Sequence, residues 1–529
     1  MGFDPDLISM LAATGVGVAL SVAIERLMVP RPPLSRPAAA WAVHAGIWCL
    51  AHAALTLPLG RPWFAAALVS AFWLVLVQVN NAKYKSLREP FVFHDYEYFT
   101  DAVRHPRLYI PFLGWAKFSG AMVGVLLAVA VGLWAEESLE DRWDWAGHLG
   151  GLSVVALSGA LLLWGGARRL PVATFQPARD LAALGFMASL WRYACAAGRL
   201  PCVGSPFDFV AAVGPGSGVQ SADRRALSTG LASQRARALR QDLPHMVAIQ
   251  SESFFDPRAV VPGIRGDVLA QFDRLCADAV LQGGLAVPAW GANTIRTEFA
   301  FLSGIAAERL GVHRFNPYRA LVAGWRLASL ASWLKDLGYR TVCVHPYPAG
   351  FYQRNRVYPR LGFDAFLDIQ AFAGVSTAEP YVEDRAVADK VAGLLRQSGQ
   401  PLFVMAITME NHGPLHLETA RPDEADALYT RPPPPGCEDL TIYLRHLRHA
   451  DQMAASLRDT LESLDRPASL CWYGDHVPIL PEVYRRYGLP SGRVPYVCWN
   501  NWASGPGRLL DLAAEDLSRH WLQRIGLMQ

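Results

Sequence analysis

The chain has 529 residues, of which 52% are hydrophobic and only 18% charged, a balance that excludes one soluble globular domain. A net charge of +3, with no basic run interleaved with aromatics, excludes a nucleic-acid partner. Eight scattered cysteines, without CxxC or zinc-ribbon spacing, exclude a cysteine-based metal module.

The apolar surplus lies in the first third, in runs near the 20 or so residues needed to cross a bilayer. They cover 7–24, 38–59, 63–79, 118–134 (with a start near Tyr109 also open) and 146–167, and predict about five transmembrane helices in a membrane domain, 1–167. His44 and His52 are the ionisable groups of the second run and read as polar residues packed inside a bundle. Asp4 and Asp6 stand where a signal peptide carries basic residues, so the first run reads as an anchor. Arg31, Arg36, Lys83, Lys85, Arg88, Arg104 and Arg107 follow the first and third runs, and Glu136, Glu137, Glu140 and Asp141 follow the fourth. The rule that basic connections stay cytoplasmic then places the N-terminus outside and everything after Ala167 inside.

Residues 168–240 read as a linker. Within it 181–197 is an interfacial or ordinary linker helix, with Trp191 and Tyr193 at the interface and Arg192 and Arg199 toward head groups, and 214–230 is a flexible connection. Cys195 and Cys202 are near enough in sequence to bridge in an oxidising compartment, whereas Cys343 and Cys471 sit in apolar runs as core residues.

From 241 to 529 short apolar runs of strand length, 245–250, 340–344, 402–408 and 469–473, alternate with helical spacing over 325–337, 382–397 and 444–464. That alternation predicts an α/β domain with a mostly parallel sheet between helices, whose sites lie at the carboxyl ends of its strands. The strand ends deliver Glu252, then His345 and Arg354, then His412, then Asp475 and His476. A further motif, Trp290-Gly-Ala-Asn-Thr294-Ile-Arg-Thr-Glu-Phe299, starts a helix beside Thr294, with Gly291 and Asn293 as turn and N-cap and Ile295, Phe299 and Leu302 on one face. A hydroxyl at a helix N-terminus meets free N–H groups and the positive end of the dipole, which suits a phosphate or an oxyanion. Glu252, Asp475, His476 and the Thr294 oxygen make a mixed oxygen and nitrogen set for Mn²⁺, Mg²⁺ or Zn²⁺. Such an ion lowers the pKa of a hydroxyl that is otherwise a poor nucleophile.

Ile249-Gln-Ser-Glu252-Ser-Phe254, Thr294-x-x-Thr-Glu-Phe299, Thr408-Met-Glu-Asn-His412-Gly-Pro414 and Gly474-Asp-His-Val-Pro478, in that order behind the membrane runs, resemble the lipoteichoic acid synthase family. That family comprises phosphoglycerol transferases of the alkaline phosphatase superfamily. Asn81-Ala-Lys83-Tyr84 through Pro90 and Asp95 adds a weaker match in the membrane half. The resemblance implies Thr294 as covalent nucleophile and Glu252, Thr294, Asp475 and His476 around one ion, usually Mn²⁺. His345, Tyr352, Arg354 and His412 would hold the phosphoglycerol group, with Tyr352 where the best-known members carry Trp. Arg356 reads as a surface residue. The implied donor is phosphatidylglycerol, the acceptor an envelope glycan or polymer hydroxyl, and the catalytic domain faces outward from the cytoplasmic membrane. That orientation opposes the one given by the basic connections.

A sulfatase would carry Cys or Ser in a Cys-x-Pro-x-Arg-like setting, where this chain has Asn293-Thr-Ile-Arg296. A phosphoethanolamine transferase would carry Ser-Asp-His-Gly-Glu in place of Gly474-Asp-His-Val-Pro478. A catalytically silent protein that binds lipid head groups is the remaining alternative.

Overall fold

The structure, a computed structural model, describes residues 4–97, 99–100, 115–139, 145–208, 243–375, 380–503 and 507–528. The start near Tyr109, the basic residues Arg104 and Arg107, the acids Glu140 and Asp141, and the connection 214–230 lie outside them. The chain divides into two compact units, Met1–Arg199 and Leu200–Gln529.

In the first unit, α1 (Pro5–Glu25), α2 (Ala38–Leu59), α3 (Pro62–Leu87) and α5 (Trp145–Arg169) each contain a stretch long and apolar enough to cross a membrane. The fourth predicted run lies in α4 (Trp115–Ala135), whose described apolar part, Val123–Ala135, is shorter than a span. α2 packs closely on α5 through small residues. A Cβ added at Gly46 would lie 2.7 Å from the Gly159 carbonyl, so the backbones approach as far as glycine permits.

The polar residues of this unit close on one another. His44 meets Ser21 at 2.8 Å, and His52 bridges Thr14 at 3.1 Å and the Pro62 carbonyl at 2.9 Å. Glu25 takes Arg36 through both oxygens, at 2.9 and 2.5 Å, and also the Phe186 N–H at 2.6 Å. Phe186 opens α7 (Phe186–Ala197), which follows the short α6 (Pro177–Leu184). Lys83 donates to Glu89 at 2.7 Å, to the Pro90 carbonyl at 3.1 Å and to Asp95 at 2.5 Å, folding the connection after α3 back on the helix. Asn81 accepts from the Val29 N–H at 2.7 Å and donates to the Leu27 carbonyl at 2.9 Å, so the ends of α1 and α3 meet. At the opposite end Glu136 caps α3, accepting from the Trp63 and Phe64 N–H groups at 3.1 and 2.6 Å.

The second unit is built on a nine-stranded sheet ordered β4 (Ala365–Leu367), β3 (Arg340–Val344), β5 (Leu402–Ile407), β1 (His245–Ser251), β6 (Ala468–Gly474), β7 (Arg493–Asn500), β2 (Leu281–Ala286), β8 (Arg508–Leu509). A short β9 (Leu512–Ala513) also pairs with β2. The five strands from β4 to β6 are parallel, and β7 runs antiparallel to both β6 and β2. β1, β5 and β6 are buried along their whole length, as expected of parallel strands covered on both faces. One face packs on α8 (Thr294–Ser303) and α11 (Ala514–Arg524), through Phe299, Phe301 and Trp521. The other packs on α9 (Asp384–Gln397) and α10 (Glu438–Glu462), through Val391, Leu444 and Leu457. The four strands read from the sequence are thus the adjacent set β3, β5, β1, β6, and their carboxyl ends form one continuous edge.

Candidate active site

β1 ends in Glu252, and the chain turns at once: Ser253 adopts a left-handed conformation, φ 50°. Ser253 donates its backbone N–H to Asp475 Oδ1 at 2.8 Å and its hydroxyl to Glu252 Oε1 at 3.0 Å. The end of β6 passes beneath this turn. A Cβ at Gly474 would stand 2.1 Å from the Phe254 carbonyl, so only glycine brings Asp475 and His476 this close to Glu252.

Glu252, Asp475 and His476 are all buried, with one ligand atom from each inside a 4.8 Å circle. His476 Nδ1 lies 3.2 Å from the Val477 carbonyl, which can only accept, so Nδ1 carries a proton and Nε2 is the nitrogen turned to the carboxylates. That Nε2 is 3.2 Å from Asp475 Oδ2 and 3.5 Å from Glu252 Oε1, and Oδ2 has no hydrogen-bond partner. Two carboxylates and one imidazole nitrogen therefore converge in a buried space, an arrangement that calls for a cation, a proton or a metal ion, between them. Burial and the neighbouring Asp475 push the Glu252 carboxyl up to about 8. The residues fit a divalent ion held by mixed oxygen and nitrogen ligands.

Thr294 is the first residue of α8 and is half-buried. Asn293 precedes it at the N-cap position in a left-handed conformation, φ 66°, without the side-chain capping bond the sequence predicts. One turn on, the Thr297 hydroxyl donates to the Asp475 carbonyl at 2.7 Å, tying the first turn of α8 to the segment of Asp475 and His476.

His345 ends β3, fully buried. Its Nδ1 donates to the Ile407 carbonyl at 3.1 Å, and its Nε2 faces Arg354 Nη1 at 3.1 Å. Burial, with Arg354 beside it, holds its pKa well below the ordinary imidazole value. Arg354 directs Nε and Nη2 to Glu298 at 3.2 and 2.8 Å, and its guanidinium lies 5.4 Å over the Tyr352 ring. Burial works against its charge, but Glu298 outweighs burial and holds its pKa above the ordinary value. Glu298 also takes the Tyr358 hydroxyl at 2.5 Å and that of Tyr318. His412 is half-buried, its Nδ1 2.6 Å from the Gly413 carbonyl. Burial lowers its pKa, while the Gly413 carbonyl and Asp475 raise it. Arg354 acts electrostatically on Glu252, Asp475 on His412, and His412 on His345, so these side chains share one field. Arg356 is exposed and bonds Gln353 at 2.9 Å.

Glu298 received no role from the sequence. Its signal is an acid four positions after Thr294, just before the apolar run Phe299, Ala300, Phe301 and Leu302 of a buried helix. Strain marks the same region. Of the six non-glycine residues with positive φ among the described residues, Ser253, Asn293, Tyr352 and Gln353 lie in these motifs.

Residues 244–520 match the Sulfatase family, over half of the chain, and the protein belongs to that family. Among relatives, the capsular polysaccharide biosynthesis protein RkpI of Rhizobium meliloti (strain 1021) is 29% identical over 438 residues, 79% of this chain and 74% of that one. The integral membrane lipooligosaccharide phosphoethanolamine transferase A of Neisseria meningitidis covers 99% of this chain and 94% of its own, with a TM-score of 0.56 and 13% identity. Phosphoglycerol transferase GacH of Streptococcus pyogenes, in complex with sn-glycerol-1-phosphate, covers 55% and 78%, with a TM-score of 0.45 and 19% identity. The described residues thus combine four helices long and apolar enough to cross a membrane with a sulfatase-like α/β domain.

Proposed function

We propose that the protein is a phosphoglycerol transferase, moving glycerophosphate from phosphatidylglycerol to a hydroxyl of an envelope glycan or polymer. The observation that carries this reading is the convergence of Glu252, Asp475 and His476, with Asp475 Oδ2 unpartnered, on a segment bonded to the helix that Thr294 opens. Thr294, rather than a Cys or Ser in a sulfatase setting, favours phosphoryl over sulfuryl chemistry. The relative that acts in capsular polysaccharide biosynthesis favours a carbohydrate acceptor.

Glu252, Asp475, His476 and the Thr294 oxygen would hold one divalent ion, Mn²⁺ before Mg²⁺ or Zn²⁺. When bound, that ion lowers the pKa of the Thr294 hydroxyl and offsets phosphoryl charge. The Thr294 oxygen attacks phosphorus, the bond from phosphorus to the diacylglycerol oxygen breaks, and a glycerophospho-threonine remains. Diacylglycerol leaves into the bilayer as the neutral alcohol once its oxygen is protonated. An acceptor hydroxyl then attacks the same phosphorus, loses its proton and returns Thr294. The N–H groups at the start of α8 face the developing phosphoryl charge. Arg354, kept cationic by Glu298, sets the field for the phosphoryl oxygens. His345 is occupied on both nitrogens and serves as a neutral brace for Arg354. His412, also neutral near pH 7, has Nε2 available to take and return the proton.

The four helices among the described residues that are long and apolar enough to cross a membrane would anchor the chain in the bilayer that holds the lipid donor, with the catalytic unit on the outer face of the cytoplasmic membrane. The test is mass spectrometry of purified protein incubated with phosphatidylglycerol and Mn²⁺, wild type against Thr294→Ala. A glycerophosphate adduct on the Thr294 peptide with release of diacylglycerol, both lost in the variant, is expected. An adduct from phosphatidylethanolamine alone would replace the donor, and no adduct from either lipid would leave a head-group-binding protein.

A further inference from the structure

Behind the candidate metal ligands lies a second buried cluster that the reading above leaves without a role. Thr408, just past β5, accepts the Glu252 backbone N–H on its hydroxyl oxygen at 3.0 Å, and the same hydroxyl acts electrostatically on the neighbouring Asp384 carboxyl. Asp384 is the first residue of α9, and its backbone N–H donates to Glu410 Oε2 at 2.6 Å. Glu410 Oε1 accepts from Nδ1 of His449 on α10. Thr408, Asp384 and Glu410 are each only 1% exposed.

Two carboxyl groups in a dry space, with the His449 imidazole at its edge, are costly unless each has a specific partner. Glu410 has two, the N-terminal N–H of α9 and His449, a setting that favours negative charge. Asp384 has only the Thr408 hydroxyl as a favourable polar neighbour, and its Oδ1 bonds nothing. Burial, Glu410 and Glu252 push the Asp384 carboxyl well above its usual range. An ordinary capping cluster would not need a buried acid set beside the hydroxyl that holds Glu252. The left-handed turn at Ser253 explains the need, because such a turn persists only when the chain is held on both sides. On the far side the Tyr443 hydroxyl lies 2.8 Å from the Ser253 carbonyl and accepts the Phe255 N–H at 3.0 Å. On the near side Thr408 is the anchor.

Resting on the metal-dependent reading of the site, we propose that Thr408, Asp384 and Glu410 are positioning residues: they fix the Glu252 backbone so that its carboxylate closes the ligand set with Asp475 and His476. Each link has a distinct chemical requirement. Position 408 needs a hydroxyl, which accepts from Glu252 while its proton is left for the neighbouring Asp384 carboxyl. Position 384 needs an oxygen acceptor of the same shape, which Asn supplies. Partners of this kind behind metal ligands govern metal affinity by roughly 10- to 100-fold.

The experiment is calorimetric titration of Mn²⁺ into the full-length protein in detergent, with the melting temperature in chelator as a check on folding. Thr408→Val should weaken Mn²⁺ binding roughly 10- to 100-fold, and Asp384→Ala by about tenfold. Thr408→Ser and Asp384→Asn should stay within about threefold of wild type, since each keeps the bond that matters. A Thr408→Val protein that fails to fold leaves the same contact readable from Asp384→Ala against Asp384→Asn. The proposal is overturned if Thr408→Val binds like wild type, if Thr408→Ser is as weak as Thr408→Val, or if the Ala and Asn variants at 384 are indistinguishable. It is also overturned if wild type binds none of Mn²⁺, Mg²⁺ and Zn²⁺. Wild type that binds Mn²⁺ and forms no glycerophosphate adduct sinks the transferase reading while leaving this inference in place.

Discussion

The two units bury charge in opposite ways. In the helical unit Glu25 faces Arg36, and Asp95 and Glu89 share Lys83, so each of these acids has a cation and the sets are closed in charge, although Arg36 Nε makes no hydrogen bond. In the α/β unit Glu252 and Asp475 converge on one imidazole nitrogen, two acids to at most one cation, and an acid oxygen is left without a partner. A closed set stabilises one arrangement and does nothing further, since a ligand would have to displace a partner. An open set is costly alone and is relieved by what it binds. Burial by itself therefore does not mark a site, whereas burial with an unmet electrostatic demand does.

The comparison breaks most visibly where the α/β unit itself holds a closed set, Glu298 with Arg354. Glu298→Gln leaves the guanidinium buried without a counter-charge, and stability should fall by about 3–5 kcal/mol, read as a lower midpoint in denaturant titration. Arg354 is pinned by Glu298, so the same variant should lose transfer activity even under conditions where it remains folded. Retained stability would mean that Arg354 reaches solvent or another acid, and its place in the site would have to be redrawn.

The open set predicts a proton-linked metal site. Glu252 ordinarily titrates near 4.5 and is pushed up to about 8 in the folded protein, by burial first and Asp475 second. The metal-free protein therefore holds the full contribution of this group below 4.5 and loses stability as the pH rises toward 8. Mn²⁺ must displace that proton, so its apparent affinity should tighten by about tenfold per pH unit on approach to 8 and level off above. Calorimetry at several pH values in buffers of different ionisation enthalpy reads the released proton directly. Affinity that does not change with pH would mean that Glu252 is already ionised in the metal-free site.

What was legible in the sequence follows the same division. The membrane runs were legible because lipid tolerates only long apolar helices, and β1, β3, β5 and β6 because parallel strands buried on both faces are apolar throughout. β2 was not, since Gln282-Gly-Gly284 breaks any strand pattern. Nor was β7, where Pro495 argues against a strand and is tolerated opposite Gly284. The residues brought together at the strand ends were legible as types: Glu252, His345, Arg354, His412, Asp475 and His476 lie in one field at one sheet edge. Their commitments were not. That Arg354 belongs to Glu298 and that Glu252 hangs from Thr408 depend on contacts between residues 56 and 156 positions apart, which no local pattern records.

The smallest effect falls in the helical unit. Glu136 lies beyond α4 and accepts two N–H groups at the start of α3, while its own carbonyl takes Arg61 Nε at 2.6 Å. Its carboxylate completes a helix end whose first N–H groups have no partner within the helix. Glu136→Gln keeps one acceptor and removes the charge, so only the dipole contribution and one hydrogen bond are lost. The expected cost is about 1 kcal/mol, seen as a small drop in melting temperature with Mn²⁺ affinity unchanged. A change in Mn²⁺ affinity would couple the closed sets of the helical unit to the open one, and the division between them would then be one of degree. If stability and affinity both stay at wild-type values, water or a lipid head group replaces the cap, which places this end of the bundle at the membrane surface.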